Sequence, residues 1–260
     1  MLEQYVNAAG HRINTLLLGK VTREQPTLVF IHGGLDCIGM WRDFPEQLHR
    51  ATGYSCLVYD RWGHGKSEAL VPPRDGDPRE DEAGQPLADL FEHFGIEKAV
   101  LVGHSFGGAI SLIAPGLHPS RIVAVVSIVP QLLFHDESRA GLKAAVTAYD
   151  EGKLRDKLIP FHGDKTDTLF RNWAAMADKP TTPTQPYEHY LEAVRCPVLA
   201  IFGKQDNYGY LPNMSFVQAH VHSTLEIFEL DEAAHYPHLE TPAQVTTKIT
   251  EFLGARLEGA

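Results

Sequence analysis

A serine with a glycine two residues before it and another two residues after it is the strongest candidate for chemistry in this chain. The segment 103–107 has the sequence Gly-His-Ser-Phe-Gly; it follows an apolar run typical of a buried strand and precedes a helical pattern. A serine on a sharp strand-to-helix turn presents its hydroxyl at the helix N-terminus, where free amides favour developing negative charge. The pattern predicts that Ser105 is a nucleophile, although an incidental serine in a glycine-rich turn is the plain alternative.

Two later residues supply the groups that a serine nucleophile needs. Asp206 follows the apolar run 197–203, and His235 follows the apolar run 224–230. The carboxyl ends of parallel strands meet at one edge of a sheet, so both side chains are expected near Ser105. A hydroxyl becomes reactive when an imidazole takes its proton and a carboxylate orients that imidazole. Each residue alone could be an ordinary loop residue, but the three in this order predict a Ser-His-Asp triad.

Attack on a carbonyl also requires two backbone amides directed at the negative oxygen that forms. The residue after the nucleophile, Phe106, supplies one of them. The glycine-rich loop after the run 27–33 is placed to supply the other, so Gly34 and Phe106 are predicted to form the oxyanion hole. His32 is interpreted as a residue that braces this loop.

The apolar pattern along the chain predicts an α/β fold. Six short apolar runs, most of them rich in β-branched residues, alternate with helical spacing, which indicates crossover connections and a mostly parallel sheet. Residues 4–19 predict an edge hairpin that turns near Ala9 and Gly10. The predicted strands are 27–33, 56–60, 99–104, 122–129, 197–203 and 224–230, and the predicted helices are 40–50, 86–95, 106–119, 211–220 and 241–257.

Two segments interrupt the alternation. Residues 71–86 are acidic and rich in proline, and are predicted to form a solvated loop. Residues 131–196 contain helical pieces near 136–150, 166–177 and 186–194 but no strand pattern. An insertion of this length is predicted to be a helical cap, or lid, over the site. The remaining residues, 1–130 and 197–260, then form the core domain.

These elements resemble the α/β-hydrolase-fold serine hydrolases of the small, capped kind. The resemblance implies a mostly parallel sheet of about eight strands flanked by helices, with a helical cap and no cofactor. It spans nearly the whole chain in family order. It rests on His-Gly-Gly at 32–34, Asp-Arg-Trp-Gly-His-Gly-Lys-Ser at 60–67, the serine turn, Asp206, His235 and Pro-His-Leu-Glu at 237–240.

Two segments resemble one branch of that family, and two positions differ from the usual family pattern. Segments 160–173 and 205–209 resemble a loosely characterised bacterial branch. Ala234 stands where the family usually has glycine, and Trp62 stands where arginine or a small residue is common. Neither change removes a catalytic group. Haloalkane dehalogenases and epoxide hydrolases of this fold use an aspartate nucleophile, so Ser105 argues against both activities.

The predicted function is hydrolysis of carboxylic esters or lactones of small to medium apolar substrates. Two alternatives stay open. A C–C bond hydrolase acting on a dienoic ketone acid would use the same triad and would need basic residues for the carboxylate; Arg139, Lys165 and Arg171 are available but are expected to face solvent. A non-enzymatic ligand receptor could also retain the triad.

Large side chains near the predicted site indicate an apolar pocket. The candidates lie in the predicted cap and on the loops of the core domain. They are Leu35, Trp41, Phe134, Phe161, Trp173, Tyr208 and Tyr236.

Composition excludes several other classes of function. The chain has 33 acidic and 23 basic residues and a formal net charge of −10, which disfavours nucleic acid and anionic membranes as partners. The best metal-ligand cluster, His235 with His238 and Glu240, lacks the spacing of a metal site, so no metal is predicted. Three cysteines, no spanning run and no secretory signal favour a cytoplasmic monomer or homodimer whose partner is its small-molecule substrate.

Overall fold

The computed structural model describes residues 2–71, 76–175 and 187–257. Within them lies one eight-stranded sheet with the order β1-β2-β4-β3-β5-β6-β7-β8. The pairs β1–β2 and β2–β4 are antiparallel, and every other pair is parallel. The strands are β1 (Leu2–Ala8), β2 (His11–Leu18), β3 (Thr27–Ile31), β4 (Ser55–Tyr59), β5 (Ala99–His104), β6 (Ile122–Ile128), β7 (Val198–Gly203) and β8 (Leu225–Leu230).

The edge hairpin has the turn expected from the sequence. Ala9 and Gly10 join β1 to β2 with φ of 51° and 81°. Two residues with positive φ give the turn a twist that matches that of the paired strands, and glycine adopts such angles without strain. The hairpin thereby extends the parallel part of the sheet by two antiparallel strands.

Helices fill most of the connections. The described helices are α1 (Phe44–Thr52), α2 (Pro78–Ala83), α3 (Gln85–Phe94), α4 (Phe106–Leu117), α5 (Asp136–Asp150), α6 (Arg155–His162), α7 (Thr166–Ala174), α8 (Glu188–Glu192), α9 (Tyr210–His220), α10 (Pro237–Glu240) and α11 (Pro242–Leu257). Short 3₁₀ turns occupy Ile38–Trp41 and Gly163–Lys165. None of the helices in the described residues combines the length and the apolar character that a membrane span requires.

Both faces of the sheet are covered, which explains why its central strands are apolar without interruption. Val29 and Leu101 face one buried cluster, which includes residues of α3 and α4. Phe30 and Val58 face the opposite cluster, which includes residues of α1 and α11. The two clusters fix the sheet between helical layers and hold the carboxyl ends of the strands in register.

Four helices, α5 to α8, lie between β6 and β7 among the described residues. The predicted piece 136–150 coincides with α5, while α6 was not predicted. The pieces 166–177 and 186–194 correspond to α7 and α8, with residues 176, 177 and 186 outside the described ranges. A small cluster of Tyr149, Leu158 and Phe170 packs α5, α6 and α7 together. The division into a core and a cap over 131–196, of which 176–186 are not described, stays a prediction.

The prediction of a solvated loop over 71–86 is wrong for its second half, and residues 72–75 lie outside the described part of the chain. Helix α2 begins after Asp77, whose carboxylate accepts a hydrogen bond of 2.8 Å from the amide of Arg79. Pro78 takes the first helical position, where its missing N–H has no cost. The side chains of Arg79 and Glu82 are buried, so the acidic composition concealed a capped helix that packs on the core.

Candidate active site

Ser105 lies on a strained turn between β5 and α4. Its φ is 54° and its ψ is −112°, a conformation that costs a non-glycine residue about 1–3 kcal/mol. A side chain at Gly103 would collide with the carbonyl of Gly107, and one at Gly107 would collide with the carbonyl of Ile31. These two glycines allow the helix to start directly above the strand ends, which leaves the serine at the tip of the turn.

The three residues predicted as a triad are brought into one hydrogen-bonded chain. The Nε2 atom of His235 lies 3.0 Å from Oγ of Ser105, and its Nδ1 atom lies 2.9 Å from Oδ1 of Asp206. A carboxylate accepts from Nδ1–H, so Nε2 is left to accept from the serine hydroxyl. The same Asp206 oxygen accepts the amide of Tyr208 at 2.9 Å, which orients the carboxylate. The arrangement can transfer a proton from the serine to the imidazole.

The loop that carries His235 is fixed by the short helix α10. The carboxylate of Glu240 accepts hydrogen bonds from the amides of Ala234 and Tyr236, which flank the histidine on both sides. The alanine in place of the usual glycine therefore still donates its N–H. Two amides held by one carboxylate restrain the backbone from which the imidazole projects.

A second buried imidazole and carboxylate lie behind the triad. Nδ1 of His104 is 3.1 Å from Oδ2 of Asp36, which also accepts the amide of Gly33 at 3.1 Å. Burial acts to raise the pKa of Asp36, but the hydrogen bond and charge of His104 outweigh it and hold the pKa below its ordinary value. The hydroxyl of Tyr236 donates to the other oxygen at 3.3 Å. The negative charge of Asp36 raises the pKa of Tyr236, and burial adds to this shift.

The loop after β3 is braced at the peptide that joins Gly33 to Gly34. The Gly33 carbonyl accepts hydrogen bonds from Nδ1 of His32 at 2.9 Å and from Nη2 of Arg61 at 2.8 Å. Burial lowers the pKa of His32, and the neutral ring accepts the amide of Arg61 at Nε2. The N–H of this peptide belongs to Gly34, one of the two predicted oxyanion donors. The other predicted donor, Phe106, is the first residue of α4, where amides lack helical partners.

The loop after β4 packs beside these residues and is organised by Asp60. Its carboxylate accepts from the side chain of Asn14 at 2.9 Å and from the amides of Lys66 and Ile38 at 2.8 and 2.7 Å. Trp62, which departs from the family pattern, stacks on a histidine of the hairpin at 3.8 Å and donates to a carbonyl within its own loop. This departure leaves the loop well packed.

Four of the predicted pocket residues lie close to the proposed machinery. Tyr208 packs its ring 4.6 Å from that of His235, and Tyr236 packs 4.7 Å from His104. The indole of Trp173 lies directly against Gly34. Leu35 packs on the cluster formed by α5, α6 and α7.

The other three predicted pocket residues are placed differently. Trp41, the last residue of the 3₁₀ turn, is 2% exposed because it packs between Phe30 and His238 in the buried cluster that includes residues of α1 and α11. Phe161 is 40% exposed on α6. Phe134 is half-buried, with the guanidinium of Arg79 5.1 Å from its ring.

The basic residues considered for a carboxylate are largely engaged. The ammonium of Lys165 donates to the carbonyls of His64, Gly65 and Ser67, so the expectation that it faces solvent is wrong. Arg171 pairs with Asp150 at 2.6 Å. Among the residues for which side chains are described, no group of three or more His, Cys, Asp or Glu converges as metal ligands do.

Sequence reasoning missed the partnership of Asp36 with His104 and the buried position of Arg79. A signal existed for the second: Asp-Pro-Arg-Glu at 77–80 combines a capping residue, a proline at the first helical position and a glutamate two residues later. No local pattern links residues 36 and 104, because only the tertiary fold brings them together. The guanidinium of Arg79 lies 4.5 Å from the ring of Phe106 and 3.2 Å from the carbonyl of Gln131.

Comparison with known proteins places these features in a family context. A family model described as the alpha/beta hydrolase fold matches residues 26–219. The 3-oxoadipate enol-lactonase 1 of Acinetobacter baylyi is 25% identical, over 95% of each chain. A 2-hydroxy-6-oxononadienedioate/2-hydroxy-6-oxononatrienedioate hydrolase of Paraburkholderia phymatum is 24% identical, over 88% of this chain and 87% of the relative.

Another relative is longer than this chain. The dihydrolipoyllysine-residue acetyltransferase component of the acetoin cleaving system of Pseudomonas putida is 26% identical, over 87% of this chain. The match spans 63% of that relative's length.

Solved structures give the same architecture. A thermophilic esterase from Thermogutta terrifontis superposes with a TM-score of 0.74 and 20% identity, over 97% of this chain and 98% of that one. The enol-lactonase from Burkholderia xenovorans gives 0.73 and 21% identity, over 96% and 99%. At these identities the likeness is one of fold.

Proposed function

This chain belongs to the α/β-hydrolase fold family, and on that premise we propose that it is a serine hydrolase of carboxylic esters or lactones. The observation that carries the proposal is the hydrogen-bonded chain from Ser105 through His235 to Asp206. A relative named as an enol-lactonase that aligns over nearly the whole length supports the lactone part. The substrates are small to medium and apolar, in keeping with the aromatic side chains around the site.

The reaction begins with attack of the Ser105 oxygen on the substrate carbonyl carbon while Nε2 of His235 takes the hydroxyl proton. Asp206 holds the imidazole in the required tautomer and stabilises the imidazolium that forms. The amides of Gly34 and Phe106 bind the oxygen that becomes negative. Collapse of the intermediate breaks the bond to the alcohol oxygen, which leaves with the proton from His235. Water, deprotonated by the same imidazole, then attacks the acyl carbon. The bond to the Ser105 oxygen breaks as His235 returns the proton to it, and the acid is released.

The second candidate function is hydrolysis of a C–C bond next to a ketone. The similarity to the Paraburkholderia hydrolase favours it. The hydrogen bonds of Lys165 weaken it, because its ammonium is held by three backbone carbonyls and is not available for a substrate carboxylate. Arg171 faces solvent as expected, in an exposed ion pair with Asp150.

A substrate series separates the two reactions. We expect turnover of p-nitrophenyl esters from acetate to decanoate, abolished in Ser105→Ala and unchanged in Ser120→Ala, whose hydroxyl is exposed in the loop after α4. The acyl chain length that is hydrolysed fastest indicates the size of the acyl pocket. Turnover of a vinylogous diketone acid with negligible ester hydrolysis would select the C–C reaction. Tight ligand binding without turnover of either substrate would indicate a receptor instead.

A further inference from the structure

Two carbonyls in the loop after β3 accept hydrogen bonds from basic side chains of other segments. Arg61, in the loop after β4, donates to the Gly33 carbonyl at 2.8 Å, and His162, the last residue of α6, donates to the Leu35 carbonyl at 2.9 Å. Burial lowers the pKa of His64, and its neutral ring donates from Nδ1 to the Trp62 carbonyl at 3.0 Å and accepts from Arg61 at Nε2 at 3.2 Å.

His162 joins two core loops to the helical segment that follows β6. Its Nδ1 atom accepts the amide of Gly65 at 3.0 Å, so Nε2 carries the hydrogen that is donated to the carbonyl of Leu35. The side chain is 2% exposed. Burial lowers the pKa of His162, which favours the neutral ring that this pair of hydrogen bonds requires.

Other contacts seat the same segment on the same loops. The Lys165 ammonium donates to the carbonyl of Gly65 at 2.6 Å, and the Trp173 indole covers Gly34 so closely that a side chain there would collide with it. Leu35 packs into the cluster of α5, α6 and α7. Residues 162–173 thus contact the loop through hydrogen bonds on one side and an aromatic ring on the other.

We propose that His162 is a positioning residue for the oxyanion hole. Adjacent glycines at 33 and 34 have no side chains to restrict their backbone, so the direction of the Gly34 amide depends on what holds the neighbouring peptides. Arg61 anchors the carbonyl of the peptide that carries the Gly34 amide, and His162 anchors the Leu35 carbonyl two peptides further along the loop. Because a misplacement of about 1 Å can cost about 100-fold in rate, this second anchor bears on catalysis without touching the substrate. The proposal rests on the proposed function.

Three substitutions at one position separate the two hydrogen bonds of His162. His162→Gln presents an amide N–H at nearly the reach of Nε2 and is expected to keep the hydrogen bond to the Leu35 carbonyl. His162→Asn keeps the acceptor for Gly65 but does not reach Leu35, and His162→Leu loses both bonds. His189→Leu, at an exposed position on α8, is the matched control.

The readouts are kcat and KM for p-nitrophenyl acetate, the rate of phosphonylation by a fluorophosphonate, and the melting temperature. We expect His162→Leu and His162→Asn to lower kcat and phosphonylation by about 10- to 100-fold with little change in KM. His162→Gln is expected within about 3-fold of wild type, because it preserves the anchor. His189→Leu is expected to match wild type.

Equal phosphonylation rates for His162→Asn and His162→Gln, both folded, would overturn the proposal even if His162→Leu fails to fold. Parallel losses of kcat and melting temperature across the series would also overturn it, because they would indicate a merely structural role. A wild-type protein that neither hydrolyses esters nor reacts with the fluorophosphonate would instead contradict the proposed function itself. Reactive wild-type protein with unaffected variants would contradict only the role of His162.

Discussion

The ring of His104 donates a hydrogen bond of 2.7 Å from Nε2 to the backbone carbonyl of His235. A carbonyl can only accept, so Nε2 of His104 carries hydrogen, and the opposite nitrogen shares a proton with Asp36. The residue before the nucleophile thereby holds the backbone of the histidine that contacts the nucleophile. A buried carboxylate in turn fixes the orientation of that ring. Two imidazole–carboxylate pairs, one behind the other, set the geometry of the site.

Replacement of Asp36 by asparagine is expected to lower the free energy of unfolding by about 3 kcal/mol at pH 7, because the neutral amide removes the negative charge that is paired with the buried His104 ring. Because the pKa of Asp36 is lowered in the folded state, its contribution is fully present above the unfolded pKa of about 3.9 and is lost as pH falls through the folded value. Urea unfolding measures the difference in the free energy of unfolding between wild type and Asp36→Asn. This difference should be constant from pH 7 to 5 and should become smaller below about pH 4. The exposed Asp136→Asn is the control, and equal stabilities at pH 7 would refute this prediction.

His238 is expected to make the protein less stable in acid. Its pKa is held well below its usual value, first by burial and then by the charges of His104, His235 and Arg42. The unfolded chain takes up a proton near pH 6.5 that the folded chain refuses, so stability falls as pH falls below about 7. Between pH 7 and 5.5, the free energy of unfolding should fall by about 1 kcal/mol less in His238→Phe than in wild type. Identical losses in the two proteins would show that the ring is protonated in the folded state.

Gly34→Ala is expected to lower kcat by about 10- to 100-fold, because its methyl group would displace the Trp173 indole and tilt the loop. Trp173→Ala removes the colliding ring, so the double variant should recover part of the loss. A cycle of kcat values for the two single variants and the double variant measures this coupling. Additive effects, or a fully active Gly34→Ala, would argue against the contact.

Arg79→Met tests whether α2 is part of the core. The Arg79 guanidinium donates to the Gln131 carbonyl and stacks on the ring of Phe106. Loss of these two contacts is expected to lower the free energy of unfolding by about 2 kcal/mol. Arg23→Met, in which the lost side chain is 80% exposed, should change it by less than about 0.5 kcal/mol. Similar effects of the two substitutions would restore the expectation of a solvated segment around Arg79.

The sequence predicted the parts of the molecule that are specified locally. Continuous apolar runs such as 99–104 indicate strands because both faces of the sheet are covered by helices. The residue types at the serine turn and at Gly10 indicate the backbone conformation there. The placement of Asp206 and His235 followed from the order of the strands. Each of these inferences required only periodicity, turn chemistry and the rule that parallel strands end at one edge.

The parts that were missed depend on contacts between distant segments. Asp36 and His104 are 68 residues apart, and His162 is 127 residues from Leu35. Lys165 looked like a solvated cation because its three carbonyl partners exist only when the segment is folded onto the core. The helix beginning after Asp77 was hidden by its acidic composition, although its capping residues were visible.

The most direct test of the account is covalent labelling of Ser105 by a fluorophosphonate, followed by intact mass and peptide analysis. We predict one adduct per chain on the peptide that holds Ser105 and none in Ser105→Ala. His235→Asn should label at least ~10³-fold more slowly, because the hydroxyl loses its base. The matched Ser120→Ala should label as wild type does. An adduct that persists in Ser105→Ala, or an unchanged rate in His235→Asn, would contradict the assignment of the nucleophile and its base.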